Sequence, residues 1–269
     1  MVSKTWLATA ALAFCAATAS AQSGEDRCRD WNDRHWNDND RERGWFCEVR
    51  EVTIPANRDV LMVDGDLNGG IEVEAWDGND IRIQARVFVR ARTDGDAEEI
   101  AGEVEVRTDG TIRATGPRLG RRESWGVSYR ISVPRSTNLD LRVHNGGISV
   151  AGVSGRVRFD ALNGGVRLID LSGDIRGSTT NGGLDIELTG RGWEGDGMDV
   201  RTTNGGVKIT VPENYSAELE TGTVNGGMRV DFPVTVQGRI GRSLSVTLGA
   251  GGKRIRAFTT NGGVVLRRI

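Results

Sequence analysis

The chain is poor in the residues on which catalytic and metal sites are usually built. Among 269 residues there are two histidines, His35 and His144, three cysteines and five prolines, and aromatic side chains make up 6%. Two histidines leave little for histidine metal sites or catalytic triads. So few prolines exclude a proline-rich linker protein, and the 38 glycines follow no collagen period. Lys and Arg number 35 against 37 Asp and Glu. Without a basic excess, no nucleic-acid partner is expected. Apolar residues are 37%, enough for a thin core, and no stretch is convincing as a membrane span.

What is present begins with an export signal over residues 1–21. Lys4 gives a short positive start, Trp6 to Ala17 is apolar and small, and Ala19-Ser20-Ala21 is a cleavage site before Gln22. Phe14 stands before Cys15, where a lipidation signal needs a small residue. The mature chain is expected to begin near Gln22, with no membrane span, and to be periplasmic, cell-surface or extracellular. Cys15 leaves with the signal, so Cys28 and Cys47 are expected to pair in an oxidising compartment. Such a loop, about 20 residues long, contributes roughly 3 kcal/mol in the chain-entropy account. A metal-binding thiol pair is the alternative, supported only by His35. Residues 22–51 are polar, without period, and carry Trp31, Trp36 and Trp45. They are expected to form a disulfide-closed cap over one end of the fold, or alternatively a glycan-binding face.

The dominant signal is Asn-Gly-Gly, beginning at Asn68, Asn145, Asn163, Asn181, Asn204, Asn225 and Asn261 and using fourteen of the 38 glycines. From Asn145 onward the intervals are 18, 18, 23, 21 and 36. Because the last is twice 18, one copy is expected to have lost its signature near Leu244 to Leu248. The flanks alternate in one register, as in Val157, Phe159 and Ala161 before Asn163, and Val166 and Leu168 after it. Strict alternation marks a strand with one buried face. Each copy therefore reads as strand, corner, strand and looser turn. Val52 to Pro55, Ile131 to Pro134 and Ile209 to Pro212 end strands, because proline cannot donate to a ladder.

Asn-Gly is a strong hairpin signal, so an antiparallel meander fits the alternation. A parallel stack fits better. The second glycine is present in all seven copies, and stacked backbones about 4.8 Å apart leave little room there for a β-carbon. A column of Asn amides would hydrogen-bond along the stack. The expected fold class is all-β, a parallel β-solenoid of ~18–23-residue repeats over residues 52–269.

Units such as Asn163-Gly164-Gly165-Val166-Arg167-Leu168 resemble the DUF4097 family of candidate bacterial adhesins. The resemblance runs from Val52 to Ile269. It implies a β-helix-like fold on an exported protein and supplies no catalytic residues.

Outside the regular units, Asp109-Gly110 reads as a hairpin turn, and Gly116 to Gly126 as a loop bearing Arg118, Arg121 and Arg122. Gly190 to Gly197 lengthens one interval and places Trp193 at its tip, either protruding or folded back. Trp193 and the three arginines are the candidate ligand contacts. Asp64-Gly65-Asp66-Leu67-Asn68-Gly69 starts like a calcium loop, but its twelfth position is Ala75 rather than Glu. No metal or cofactor is therefore expected. No nucleophile or phosphate-loop motif is present, and the chain is expected not to be an enzyme. The reading is an exported interaction scaffold for a cell-envelope polymer or surface protein. The alternatives are a carbohydrate-active β-helix enzyme and a structural protein that self-assembles through an open edge at Val264 to Arg268.

Overall fold

The structure, a computed structural model, describes Cys28 and residues 44–57, 59–233 and 241–269. The expected signal and most of the expected cap, with Trp31, His35 and Trp36, lie outside the described residues. Among the described residues no helix is long and apolar enough to cross a membrane.

The fold is all-β, with a ten-residue helix at one end of the stack. A ten-stranded and an eight-stranded sheet enclose a single apolar core. Each Asn-Gly-Gly unit gives its first strand to the eight-stranded sheet and its second to the ten-stranded sheet. In chain order the units are β2 (Leu61–Asp64) with β3 (Ile71–Trp76), β8 (Leu139–Asn145) with β9 (Ile148–Ala151), β10 (Ser154–Asn163) with β11 (Val166–Ile169), and β12 (Ser172–Asn181) with β13 (Leu184–Glu187). Then come β14 (Gly197–Asn204) with β15 (Val207–Val211), β16 (Ala217–Asn225) with β17 (Met228–Val230), and β19 (Arg254–Asn261) with β20 (Val264–Arg268). Equivalent strands pair in parallel and in register, so Asn163 lies beside Asn145 on one side and Asn181 on the other. The stack, not the meander, is what forms. Side chains at alternate positions, such as Val157, Phe159 and Ala161, point into the core because the strand period is two.

Two expectations about the stack need correction. Among the described residues between Asn225 and Asn261 there is no further parallel unit. Ser243–Leu248 is a strand, β18, but it runs antiparallel beside β16 and ends the eight-stranded sheet. The unit formed last in the chain, β19 with β20, inserts between β14–β15 and β16–β17. Val264 to Arg268 is thus paired on both sides and is not an open edge; β17 ends the sheet there. The 36-residue interval thus holds β18 in place of a further corner among its described residues.

The second correction concerns which glycine the stack requires. A β-carbon on the first glycine of a corner would meet the carbonyl oxygen of the neighbouring corner, at 1.9 Å for Gly164, 2.0 Å for Gly182 and 2.2 Å for Gly205. At the second glycine the nearest atom is 3.6 Å away for Gly165 and 3.2 Å for Gly183. Both glycines face the adjacent backbone, but only the first lies too close to it for a β-carbon.

One end of the stack is built from the strand before the first unit and from the segment between Asn68 and Asn145. Strands β1 (Gly44–Pro55), β4 (Asp80–Ala91) and β7 (Ser124–Pro134) extend the ten-stranded sheet, pairing antiparallel as β1–β4–β7 before β7 meets β3 in parallel. Helix α1 (Asp94–Glu103) packs Ala97 and Ala101 against β1 and β4. Its N-cap, Thr93, accepts a hydrogen bond from the Asp96 N–H, and Asp94 and Asp96 lie in the first turn, where the helix dipole favours them. Arg50 of β1 donates to the carbonyls of Ala101 and Val104 at the other helix end. The expected hairpin at Asp109-Gly110 joins β5 (Glu105–Arg107) to β6 (Arg113–Thr115). Cys28 and Cys47 are joined by a disulfide, with Cys47 on β1.

Candidate interaction site

A cleft of about 440 Å³ opens beside the first corner, between the turn after β2 and the loop before β7. Asp66, Asn68, Arg118, Glu123 and Trp125 line it. The turn is shaped by Asp64, whose Oδ1 accepts from the Asp66 N–H at 2.9 Å, with Asp66 in the left-handed region at φ 50°. Such a conformation is tolerated by aspartate because its short side chain bonds locally. The loop is held by the Trp125 indole, whose Nε1 donates to the Pro117 carbonyl at 2.9 Å. Gly116 lies directly against that ring, where a β-carbon would be 2.7 Å from it. On the other side of Trp125 a second hollow, about 390 Å³, is lined by Arg86, Phe88, Arg90 and Ser128. Arg86 is buried. Burial, with the nearby Arg130 charge, pushes its pKa down to about 10. Trp125 is therefore an aromatic partition with a buried cation on one side and a mixed-charge rim on the other.

The loop arginines divide. Arg118 lines the cleft, while Arg121 and Arg122 are exposed on the same loop outside its lining. Trp193 is folded back, not protruding: it is 7% exposed and its Nε1 donates to the Gly173 carbonyl at 3.1 Å. Its place as a ligand contact is corrected to a place in the core. The seven corner asparagines form one continuous ladder. Asn145 donates to Asn68, Asn163 to Asn145, Asn181 to Asn163, Asn204 to Asn181, Asn261 to Asn204 and Asn225 to Asn261, the last five at 2.8–2.9 Å. A second ladder went unread in the sequence. Thr179, Thr202, Thr259 and Thr223 donate to the carbonyls of Gly164, Gly182, Gly205 and Gly262 at 2.6–2.8 Å. Its signal was the threonine two residues before four of the asparagines. Trp125 was also missed, because it begins the run Trp125, Val127, Tyr129, Ile131, Val133 and reads as core.

The walls carry their charges in ion pairs. On the eight-stranded sheet Asp174 is held by Arg158 at 2.8 Å and Arg176 at 3.0 Å, and Arg256 bridges Asp199 at 3.1 Å and Glu220 at 3.0 Å. The Arg158 hydrogen bond is the main cause holding the Asp174 carboxyl below the usual carboxylate range, against the opposing effect of burial, with Arg176 adding to the lowering. Among the described residues no group of three or more His, Cys, Asp or Glu is placed to hold a metal ion; the turn at Asp64 to Asn68 is a corner of the stack.

A comparison with curated proteins finds no match. Among solved structures, a candidate cell adhesion protein of Clostridium sporogenes superposes with a TM-score of 0.46 at 9% identity, covering 83% of this chain and 100% of that one. A candidate adhesin of Bacteroides fragilis gives 0.34 at 11% identity, covering 83% and 97%. One from Parabacteroides distasonis gives 0.28 at 11%, covering 82% and 97%. The family described as Toastrack DUF4097 matches residues 52–267. With that span covering nearly all of the two-sheet stack, the chain belongs to the Toastrack DUF4097 family.

Proposed function

We propose that the chain is an exported, non-catalytic scaffold that holds a cell-envelope polymer or surface protein, in the manner of an adhesin. In this reading the parallel stack is a β-solenoid of ~18–23-residue Asn-Gly-Gly units. Residues 22–51, tied by Cys28–Cys47, belong to the closure of its first end. Export rests on the signal over residues 1–21 and agrees with a disulfide. The observation that carries the binding role is the cleft at Trp125. An open, aromatic-walled hollow with Arg118 and Glu123 at its rim suits a polar polymer better than a small molecule, which prefers enclosure. The wall carboxylates support a non-catalytic role, since Asp174 and Glu220 are occupied by arginines rather than poised to carry protons.

The test is retention of the secreted chain on immobilised envelope polysaccharides. Wild type is expected to be retained, and Trp125→Ala and Arg118→Ala to be released early while keeping the wild-type circular dichroism. Failure of the wild type to bind any envelope polymer ends this reading.

A further inference from the structure

The corners form an exposed strip unlike the rest of the surface. Take four positions at each of the seven corners: the residue before the asparagine, the asparagine and both glycines. None is Asp, Glu, Lys or Arg, although 27% of the chain is charged. Charge resumes two residues before the asparagine at the first corner, with Asp66, and three before it at others, with Arg142, Asp160 and Arg201; after it charge resumes at the fourth residue, with Arg167, Asp185 and Lys208. The residue before the asparagine is Leu67, Leu162 or Val224 at three corners, threonine at three others and His144 at the seventh. Those three apolar side chains are half of the six large ones exposed among the described residues.

The strip also carries a regular row of donors. The first glycine of a corner gives its N–H to an asparagine carbonyl of the next, as Gly146 does to Asn163 and Gly164 to Asn181 at 3.0 Å. The second glycine does not. Gly147, Gly165, Gly183, Gly206, Gly263 and Gly227 are exposed, and their N–H groups have no hydrogen-bond partner among the described residues. Parallel pairing sets these six donors about 4.8 Å apart in a line of roughly 24 Å. No side chain stands on the glycines to keep a ligand from the backbone. At one end the strip runs into the Trp125 hollow, which Asn68, Asn145, Gly146 and Gly147 also line.

We infer that this strip is the docking surface for an uncharged, extended glycan lying along the stacking axis. The inference rests on the polymer-binding reading above and names its surface and ligand class. An uncharged strip favours an uncharged chain, because a charged one would lose hydration there without gaining a partner. Sugar oxygens accept from the glycine N–H groups, alternate rings presenting the same side, and the leucines, valine and threonine methyls meet the C–H faces of the rings. Spacing selects against a peptide, whose same-side groups recur at roughly 6.6 Å. A β-1,4-linked sugar chain turns each ring over relative to the last, so its same-side groups recur every two rings, a length close to two strand spacings. The terminal sugar reaches the Trp125 indole.

The experiment is a titration of ¹⁵N-labelled secreted chain with chitohexaose, and with hexagalacturonate as the acidic chain of equal length. Saturable shifts of the Gly165, Gly183 and Gly206 amides with chitohexaose alone are expected. Leu162→Glu combined with Thr203→Glu, both at the exposed position before an asparagine, should weaken chitohexaose binding at least tenfold without moving the Tm. Shifts confined to Trp125 and Arg118, or equal shifts with hexagalacturonate, overturn the strip. So does retention on other envelope polymers with no response to chitohexaose, and in these cases polymer binding itself survives. Loss of all polymer retention removes both.

Discussion

One hydrogen atom decides whether neighbouring corners can touch. Gly164→Ala puts a methyl group 1.9 Å from the Gly146 carbonyl oxygen, where backbone on both sides resists movement. It should cost about 3 kcal/mol in urea unfolding, whereas Gly165→Ala should stay within about 0.5 kcal/mol. Reversal of that order would mean the corners stack differently. Buried side chains make the complementary case. Tyr129 is 1% exposed and its hydroxyl has no hydrogen-bond partner. Burial, followed by the charges of Asp64 and Asp66, pushes its pKa well up. An unpaired hydroxyl is a cost, so Tyr129→Phe should be neutral or stabilising by about 1 kcal/mol in thermal melts. Trp193 was legible as an insertion residue, but its direction was not. It depends on Gly173 and Gly195, where the two chain segments pass so closely that a β-carbon on Gly195 would lie 2.4 Å from the Gly173 Cα.

Among the elements, the strands were legible because alternation is local. Every expected corner is flanked by the strands its pattern demanded, and each proline marker closes one: Pro55 ends β1, Pro134 ends β7 and Pro212 follows β15. Helix α1 was not read, since its apolar stripe is only Ala97, Ile100 and Ala101; Thr93 with Asp94 and Asp96 was the available signal. Strand-to-strand ion pairs give the eight-stranded sheet a pH signature. The folded pKa of Asp174 is lowered. Its contribution is therefore present above the unfolded carboxylate value, ~3.9, and is lost as pH falls through the folded value. The Tm gap between wild type and Asp174→Asn is expected to be open at neutral pH and to close below the ordinary carboxylate range. A gap that persists unchanged in acid would show that the pair contributes nothing through charge.

For the whole molecule, the inserted last unit changes how the stack should fail. In a simple repeat array, loss of the terminal copy removes one interface. Here removal of residues 254–269 takes away β19 and β20, which join β14–β15 to β16–β17. The truncated chain should therefore lose β16 to β18 as well, seen as proteolytic cleavage reaching back beyond Ala217, not as fraying of one unit. The amide ladder gives a second whole-molecule expectation. Asn-Gly deamidates when its backbone is mobile, and here each asparagine is tied to its neighbours along the stack. Intact mass should stay constant in the folded protein and rise by successive deamidations in urea. Comparable rates in both states would contradict a rigid ladder.

By itself the sequence determined the two-residue period, the glycine corners, the register that aligns them and the uncharged character of the strip, because each depends on residues a few positions apart. Tertiary structure alone decided the order of the stack, the burial of Trp193, the groove at Trp125 and which of the two glycines must remain bare. The units present nearly identical edges to one another. A local pattern can therefore say that they pair in parallel, but it cannot say which copy lies between which.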